Sequence, residues 1–133
     1  MKGILRVALL AALALPGACS GDAAPGEATV EMVEGQRFQP AELLVAAGTT
    51  VTFVNDSAEA HTVTAYDDGI PEDADYFSSS GSESEDDARD DLADGLVGQE
   101  STYEVTFGAP GTYEYFCIPH EDRSMRGTIV VEE

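Results

Sequence analysis

The chain has 133 residues, enough for one compact domain with a modest core once a removable leader is set aside. Twenty-six acidic side chains face six basic ones, a formal charge of −20. A surface this negative repels nucleic acid and anionic membranes, which argues against both as partners. It reads first as the heavily hydrated surface of a halophilic protein, and second as a docking face for a basic partner. At ~1 M salt the Debye length is only ~3 Å, so long-range steering would largely vanish there.

Residues 1–18 read as a lipoprotein-type signal peptide. A charged start, Met1 to Arg6, precedes an apolar run from Val7 to Leu15, and small residues lead to Cys19. The run is far short of the ~20 apolar residues that span a bilayer. Cys19 stands where lipoproteins carry their lipid-modified cysteine, although Pro16 replaces the usual leucine-like residue three positions before it. Residues 19–28 form a flexible tether of the kind a lipid anchor needs. Ordinary secretion after cleavage near Ala18 is the alternative, and a Cys19–Cys117 disulfide ranks third.

From residue 29 the period is two, as in strands. Val30 and Met32 share a face, Leu43-Leu44-Val45 is a short apolar run, and Val51 and Phe53 alternate with Thr50 and Thr52 after a turn at Gly48. His61, Val63 and Ala65 lie together. Tyr103, Val105 and Phe107 form another face; Ala109-Pro110-Gly111 turns the chain into Tyr113, Tyr115 and Cys117; and Thr128 to Val131 closes it. Such a series of seven or eight short strands indicates an all-β antiparallel sandwich. Residues 67–98 break the rhythm as an acidic insertion. Its first half is loop-like, and its second half allows a turn or two of helix with Ala88 and Leu92 at i and i+4, capped by Ser82 or Ser84. Tyr76 and Phe77 are the residues expected to anchor it.

The chemistry concentrates in residues 117–125. Cys117, His120 and Met125 place a thiolate, an imidazole and a thioether within nine residues, and His61 supplies a second imidazole from another strand. Two histidines, one cysteine and a weak axial methionine make the ligand set of a type 1 copper site. Soft sulfur favours Cu(I), while imidazole serves both oxidation states. The whole sequence has two histidines, and Cys117 is the one cysteine beyond the leader, so the proposed metal site uses all of them. Taken singly, His61 reads as a core or loop histidine, Cys117 as an inert buried thiol and Met125 as core filler. Their joint occurrence at this spacing is what carries the assignment.

Residues 113–127, with the pattern Cys-x-Pro-His-x4-Met and the upstream His61-Thr62-Val63, resemble plastocyanins and, more closely, halocyanin-type blue copper proteins. The likeness runs from about Thr29 to Val131. It implies a cupredoxin Greek-key β-sandwich over residues 29–133 with copper at one end. It also implies a monomeric carrier that shuttles single electrons between membrane complexes, with His120 as the electron exit. Two positions depart from the pattern. Phe116 stands where plastocyanins commonly have tyrosine, and Arg123-Ser124 precedes Met125 where a glycine is common.

Around the ligands, Pro119 lacks an N–H that could otherwise reach the Cys117 sulfur. The backbone N–H of Thr62 is the expected donor instead. Few hydrogen bonds to the thiolate favour Cu(II) and lower the potential. Three rival readings differ in class. A Cys117/His120 nucleophile–base pair lacks an orienting third member, so the chain does not read as an enzyme. A copper store or delivery protein would ordinarily use several thiolates or methionines. A zinc site could recruit Glu121 beside Cys117 and the two histidines.

Overall fold

The structure is a computed structural model and describes residues 26–133, so the leader and Cys19 lie outside the described residues. Eight strands follow in order: β1 (Glu27–Val33), β2 (Arg37–Gln39), β3 (Glu42–Ala46), β4 (Thr49–Asn55), β5 (Thr64–Ala65), β6 (Thr102–Phe107), β7 (Gly111–Phe116) and β8 (Arg126–Glu132). They build two four-stranded sheets, ordered β2-β1-β4-β6 and β3-β8-β7-β5. The sheets are mixed rather than purely antiparallel, because β1 runs parallel to β4 and β3 parallel to β8. Alternation along a strand reports which face is buried but not the direction of its neighbour. The antiparallel expectation therefore fails at these two non-consecutive pairings.

The period-two faces fold inward. Val30, Met32, Val51, Phe53, Tyr115 and Ile129 are completely buried between the sheets. Aromatic rings lock the centre edge to face: Phe38 meets Tyr115 at 4.8 Å and Phe53 meets Tyr115 at 5.3 Å between centroids. The Tyr115 ring extends over the β8 backbone at Gly127, where a Cβ would sit only 2.3 Å from its hydroxyl oxygen. Glycine at this position is what lets the ring approach the strand so closely.

The acidic segment packs against the sandwich. Phe77 enters the core against Phe107, and the Tyr76 hydroxyl donates to the Ala65 carbonyl at 2.9 Å. Helix α1 (Glu85–Asp90) starts at Ser84, whose Oγ accepts the Asp87 N–H at 3.2 Å. Its Ala88 faces inward, while Leu92 lies in the separate turn α2 (Leu92–Gly95) and is half-buried. The segment lies across residues 61–65, bridging His61 to Val97 and Thr64 to Ser78. Both faces of that stretch are thereby buried, where a simple strand would have exposed one. Its far end returns to the sandwich beside the end of β4, which brings Asn55, His61 and Val97 together at one pole.

Candidate metal centre

Two structural segments converge at that pole. One is the turn between β4 and β5, which carries His61. The other is the link from β7 to β8, which carries Cys117, His120 and Met125. Cys117 continues the inward face of Tyr113 and Tyr115, so its sulfur points into the protein and is fully buried. Pro119 opens a short 3₁₀ turn (Ile118–Arg123) that swings His120 back over the sulfur. The link closes by backbone bonds: Cys117 N–H donates to the Met125 carbonyl at 3.0 Å, and Met125 N–H to the His120 carbonyl at 3.2 Å. Met125 is completely buried beside the cluster. Ser124 takes a left-handed conformation, φ 62°, the geometry that glycine adopts freely.

The Cys117 Sγ lies 3.7 Å from His61 Nδ1 and 3.3 Å from His120 Nδ1, and the two Nδ1 atoms are 3.1 Å apart. Outer partners set both tautomers. His61 Nε2 is 2.7 Å from the Ser57 Oγ, whose single proton is claimed by the Asn55 Oδ1 at 2.8 Å or the Glu59 carbonyl at 3.0 Å. The hydroxyl therefore accepts from His61 Nε2–H, leaving the Nδ1 lone pair facing inward. His120 Nε2 lies 3.1 Å from Glu59 Oε2, an ionised acceptor, so its Nδ1 is likewise a bare lone pair. The Gln36 hydrogen bond most strongly, and to a lesser degree the two histidines and Arg123, hold the Glu59 carboxyl below its ordinary range.

Two lone pairs 3.1 Å apart with a sulfur across from them repel unless a cation sits between. A point equidistant from the three atoms is about 2 Å from each, close to the ~2.0–2.1 Å of metal–imidazole bonds and somewhat short of the ~2.3 Å of metal–thiolate bonds. The donor set thus fits a metal ion by both distance and charge. These three residues form the converging group of side chains among the described residues. Glu121 is not part of it. Its carboxylate is held by Arg89 at 3.0 Å and by the Tyr66 hydroxyl at 2.7 Å, which removes the oxygen that the zinc alternative required.

The Thr62 N–H points at the Cys117 sulfur from 3.4 Å, and the Thr62 hydroxyl accepts the Ile118 N–H at 2.9 Å. Burial pushes the Cys117 thiol up, and the Thr62 N–H opposes the shift. Burial and the neighbouring His120 push His61 down, which keeps it a neutral donor. Sequence reasoning missed Asn55 and Ser57. Asn55 Nδ2 donates to the Glu59 carbonyl at 2.7 Å and to the Val97 carbonyl at 2.8 Å, while its Oδ1 accepts from Ser57. Asn-Asp-Ser after a strand reads as an ordinary turn. The usable signal was the even spacing that carries Asn55 onto the buried face of β4.

Phe116 stacks on Tyr66 at 4.2 Å and lies beneath the Arg89 guanidinium at 4.6 Å. Arg89 also pairs with Glu85 and forks onto Glu121, which joins α1 to the loop that carries His120. The His120 side chain is 14 % exposed and borders an open hollow with Pro119, Leu96 and Ala60.

The family model described as copper binding proteins of the plastocyanin/azurin family matches residues 26–132. The chloroplastic plastocyanin of Physcomitrium patens is 36% identical over 94 residues, covering 71% of this chain; the chain spans about half, 49%, of that relative. Amicyanin-alpha of Methylorubrum extorquens is 30% identical across 99% of this chain and 100% of its own length. The oxidised plastocyanin of Dryopteris crassirhizoma superposes with a TM-score of 0.57 at 25% identity, covering 78% of this chain and 99% of the other. With the sandwich, the converging donors and these relatives in view, the chain belongs to the plastocyanin/azurin family of copper-binding cupredoxins.

Proposed function

We propose that the protein holds one copper ion through His61, Cys117, His120 and Met125 and carries single electrons between membrane-associated redox partners. The observation that carries this reading is the inward convergence of His61 Nδ1, Cys117 Sγ and His120 Nδ1, each fixed from outside. A copper ion bound there supplies the Cu(I)/Cu(II) couple. The residues supply the rest. Asn55 and Ser57 hold His61, Thr62 holds the sulfur, and the backbone bonds of Met125 brace the loop, so little needs to move when the charge changes. His120 brings the centre to the surface, where a partner can approach. The test is a reductive titration of the copper-loaded chain. It should take up one electron per copper and return it over repeated cycles with the metal retained. Copper released on reduction would favour the storage and delivery reading instead.

We further propose that residues 1–18 are a signal peptide, that Cys19 is a lipid anchor on the outer face of the cytoplasmic membrane, and that the tether after it ends at β1 rather than at residue 28, since Glu27 and Ala28 already pair with Thr50 and Val51 and belong to the copper domain. The short apolar run, the small residues before Cys19 and the polar stretch after it support this arrangement. A flexible tether of n residues reaches roughly 5–6 Å × √n and would allow reorientation between partners. One acyl chain binds only marginally, so attachment would use two. The acidic composition supports a halocyanin-type protein adapted to salt. Cys19→Ser should move the protein from the membrane fraction to the soluble one. Membrane retention equal to the parent, or a parent of unmodified mass, would replace the anchor with simple secretion.

A further inference from the structure

Glu59 lies in the turn ahead of His61, and no chemical motif marks it in the sequence. Its two ends do different things. The backbone carbonyl accepts from Asn55 Nδ2 at 2.7 Å and lies 3.0 Å from the Ser57 hydroxyl, whose proton it shares with Asn55 Oδ1; these are the two residues that brace His61. Its carboxylate reaches across the pole to His120 Nε2 at 3.1 Å. Residue 59 is therefore the bracket between the two histidines.

A half-exposed carboxylate in so acidic a chain would ordinarily wander, but this one is held. Gln36 Nε2 donates to both of its oxygens, at 3.3 and 3.0 Å, and Arg123 Nη1 donates to Gln36 Oε1 at 3.1 Å. Gln36 itself sits in the left-handed region, φ 58°, in the tight turn between β1 and β2. A relay from Arg123 through Gln36 to Glu59 thus ends on the exposed edge of His120. Of the four arginines among the described residues, Arg123 is committed to this relay and Arg89 to the other flank of the same loop.

We infer that Glu59 is a positioning residue for electron exchange: its carboxylate accepts the Nε2–H of His120 and holds the solvent-facing ligand in one tautomer and one orientation. The inference rests on the copper reading given above. A carboxylate bonded to the outer nitrogen of a metal-bound histidine raises the basicity of the inner nitrogen. It also sets a negative charge beside the centre. Both effects favour Cu(II) over Cu(I), and the tether limits ring rotation as the charge changes. Glu59 lines the same open hollow as His120, so a partner approaching there also meets this carboxylate.

The experiment uses the full chain loaded with copper, as parent, Glu59→Gln and Glu59→Ala. The amide oxygen of Glu59→Gln can still accept the Nε2–H but carries no charge; Glu59→Ala does neither. Two quantities are read: the reduction potential, and the His120 Nε2–H resonance in the diamagnetic Cu(I) form. Both variants should shift the preference toward Cu(I) by about threefold to tenfold, ~30–60 mV for a one-electron couple. The resonance should persist in Glu59→Gln and be lost to solvent exchange in Glu59→Ala. A shift under twofold in both variants overturns the inference. So does a shift in potential with the resonance intact in Glu59→Ala, because a bare charge effect needs no hydrogen bond. If the parent itself has no one-electron couple, the copper reading fails first and takes this inference with it.

Discussion

Cys117→Ser should abolish both the visible band and redox cycling while leaving the sandwich folded. The thiolate is the one strong charge-transfer donor at the pole, and the histidines alone would hold the metal as a colourless or weakly coloured site. Loss of even an outer partner of a metal ligand costs ~10–100-fold in affinity or activity, so loss of the ligand itself should exceed that. The fold should tolerate the change. Serine is smaller, and its hydroxyl can accept the Thr62 N–H that now points at the sulfur from 3.4 Å. A buried polar group left partly unmatched costs ~1–3 kcal/mol, less than the ~5–15 kcal/mol by which domains of this kind are stable. Circular dichroism should therefore report the parent's sheet content. An intense visible band surviving in Cys117→Ser would mean that another donor makes the colour.

Met125→Leu should keep the copper and move the potential. A thioether in the axial position is a weak ligand, and His61, Cys117 and His120 already enclose a metal-sized space. Leucine nearly conserves the volume of this fully buried side chain, so the stability change should stay under ~1.5 kcal/mol. Removing a donor disfavours the more Lewis-acidic Cu(II), so the potential should rise. A tenfold change in the relative affinity for the two oxidation states corresponds to ~59 mV, and a shift of about that size is expected. Voltammetry beside copper quantification separates the outcomes. If Met125→Leu lost copper as completely as His61→Ala, the axial role would be wrong.

Parts of this arrangement were legible in residue order and parts were not, for physical reasons. Strands β1, β4, β6, β7 and β8 announce themselves because one face of each is buried and the side-chain period is two. Cys117 lies inward because it extends the Tyr113–Tyr115 face, which the same period shows. The parallel pairing of β1 with β4 joins segments about twenty residues apart, and no local signal records it. The period of two places His61, Val63 and Ala65 on one face, but nothing local shows that the other face of 61–65 is covered too, because the segment that covers it looks like a solvated loop. Its anchor, Phe77, was visible, whereas the role of Arg89 was hidden in a run of acids.

The outer parts of the metal centre were the least legible. Asn55, Ser57 and Glu59 are ordinary turn residues, and their meaning depends on a fold that brings them back against His61 and His120. Ligand identity, by contrast, follows from residue chemistry. Sulfur and imidazole donors are few in this chain, so a metal site that uses them leaves little choice. The outer shell draws on amide, hydroxyl and carboxylate groups, which the chain has in excess.

The most direct measurement is the visible absorption spectrum of the parent chain after loading with Cu(II). A thiolate and two imidazoles around one copper predict an intense visible charge-transfer band that disappears on one-electron reduction and returns on reoxidation, at one copper per chain. A copper-loaded protein that stays colourless, or that binds the metal with Cys117 still freely titratable by a thiol reagent, would contradict the assignment of His61, Cys117, His120 and Met125 as a type 1 centre.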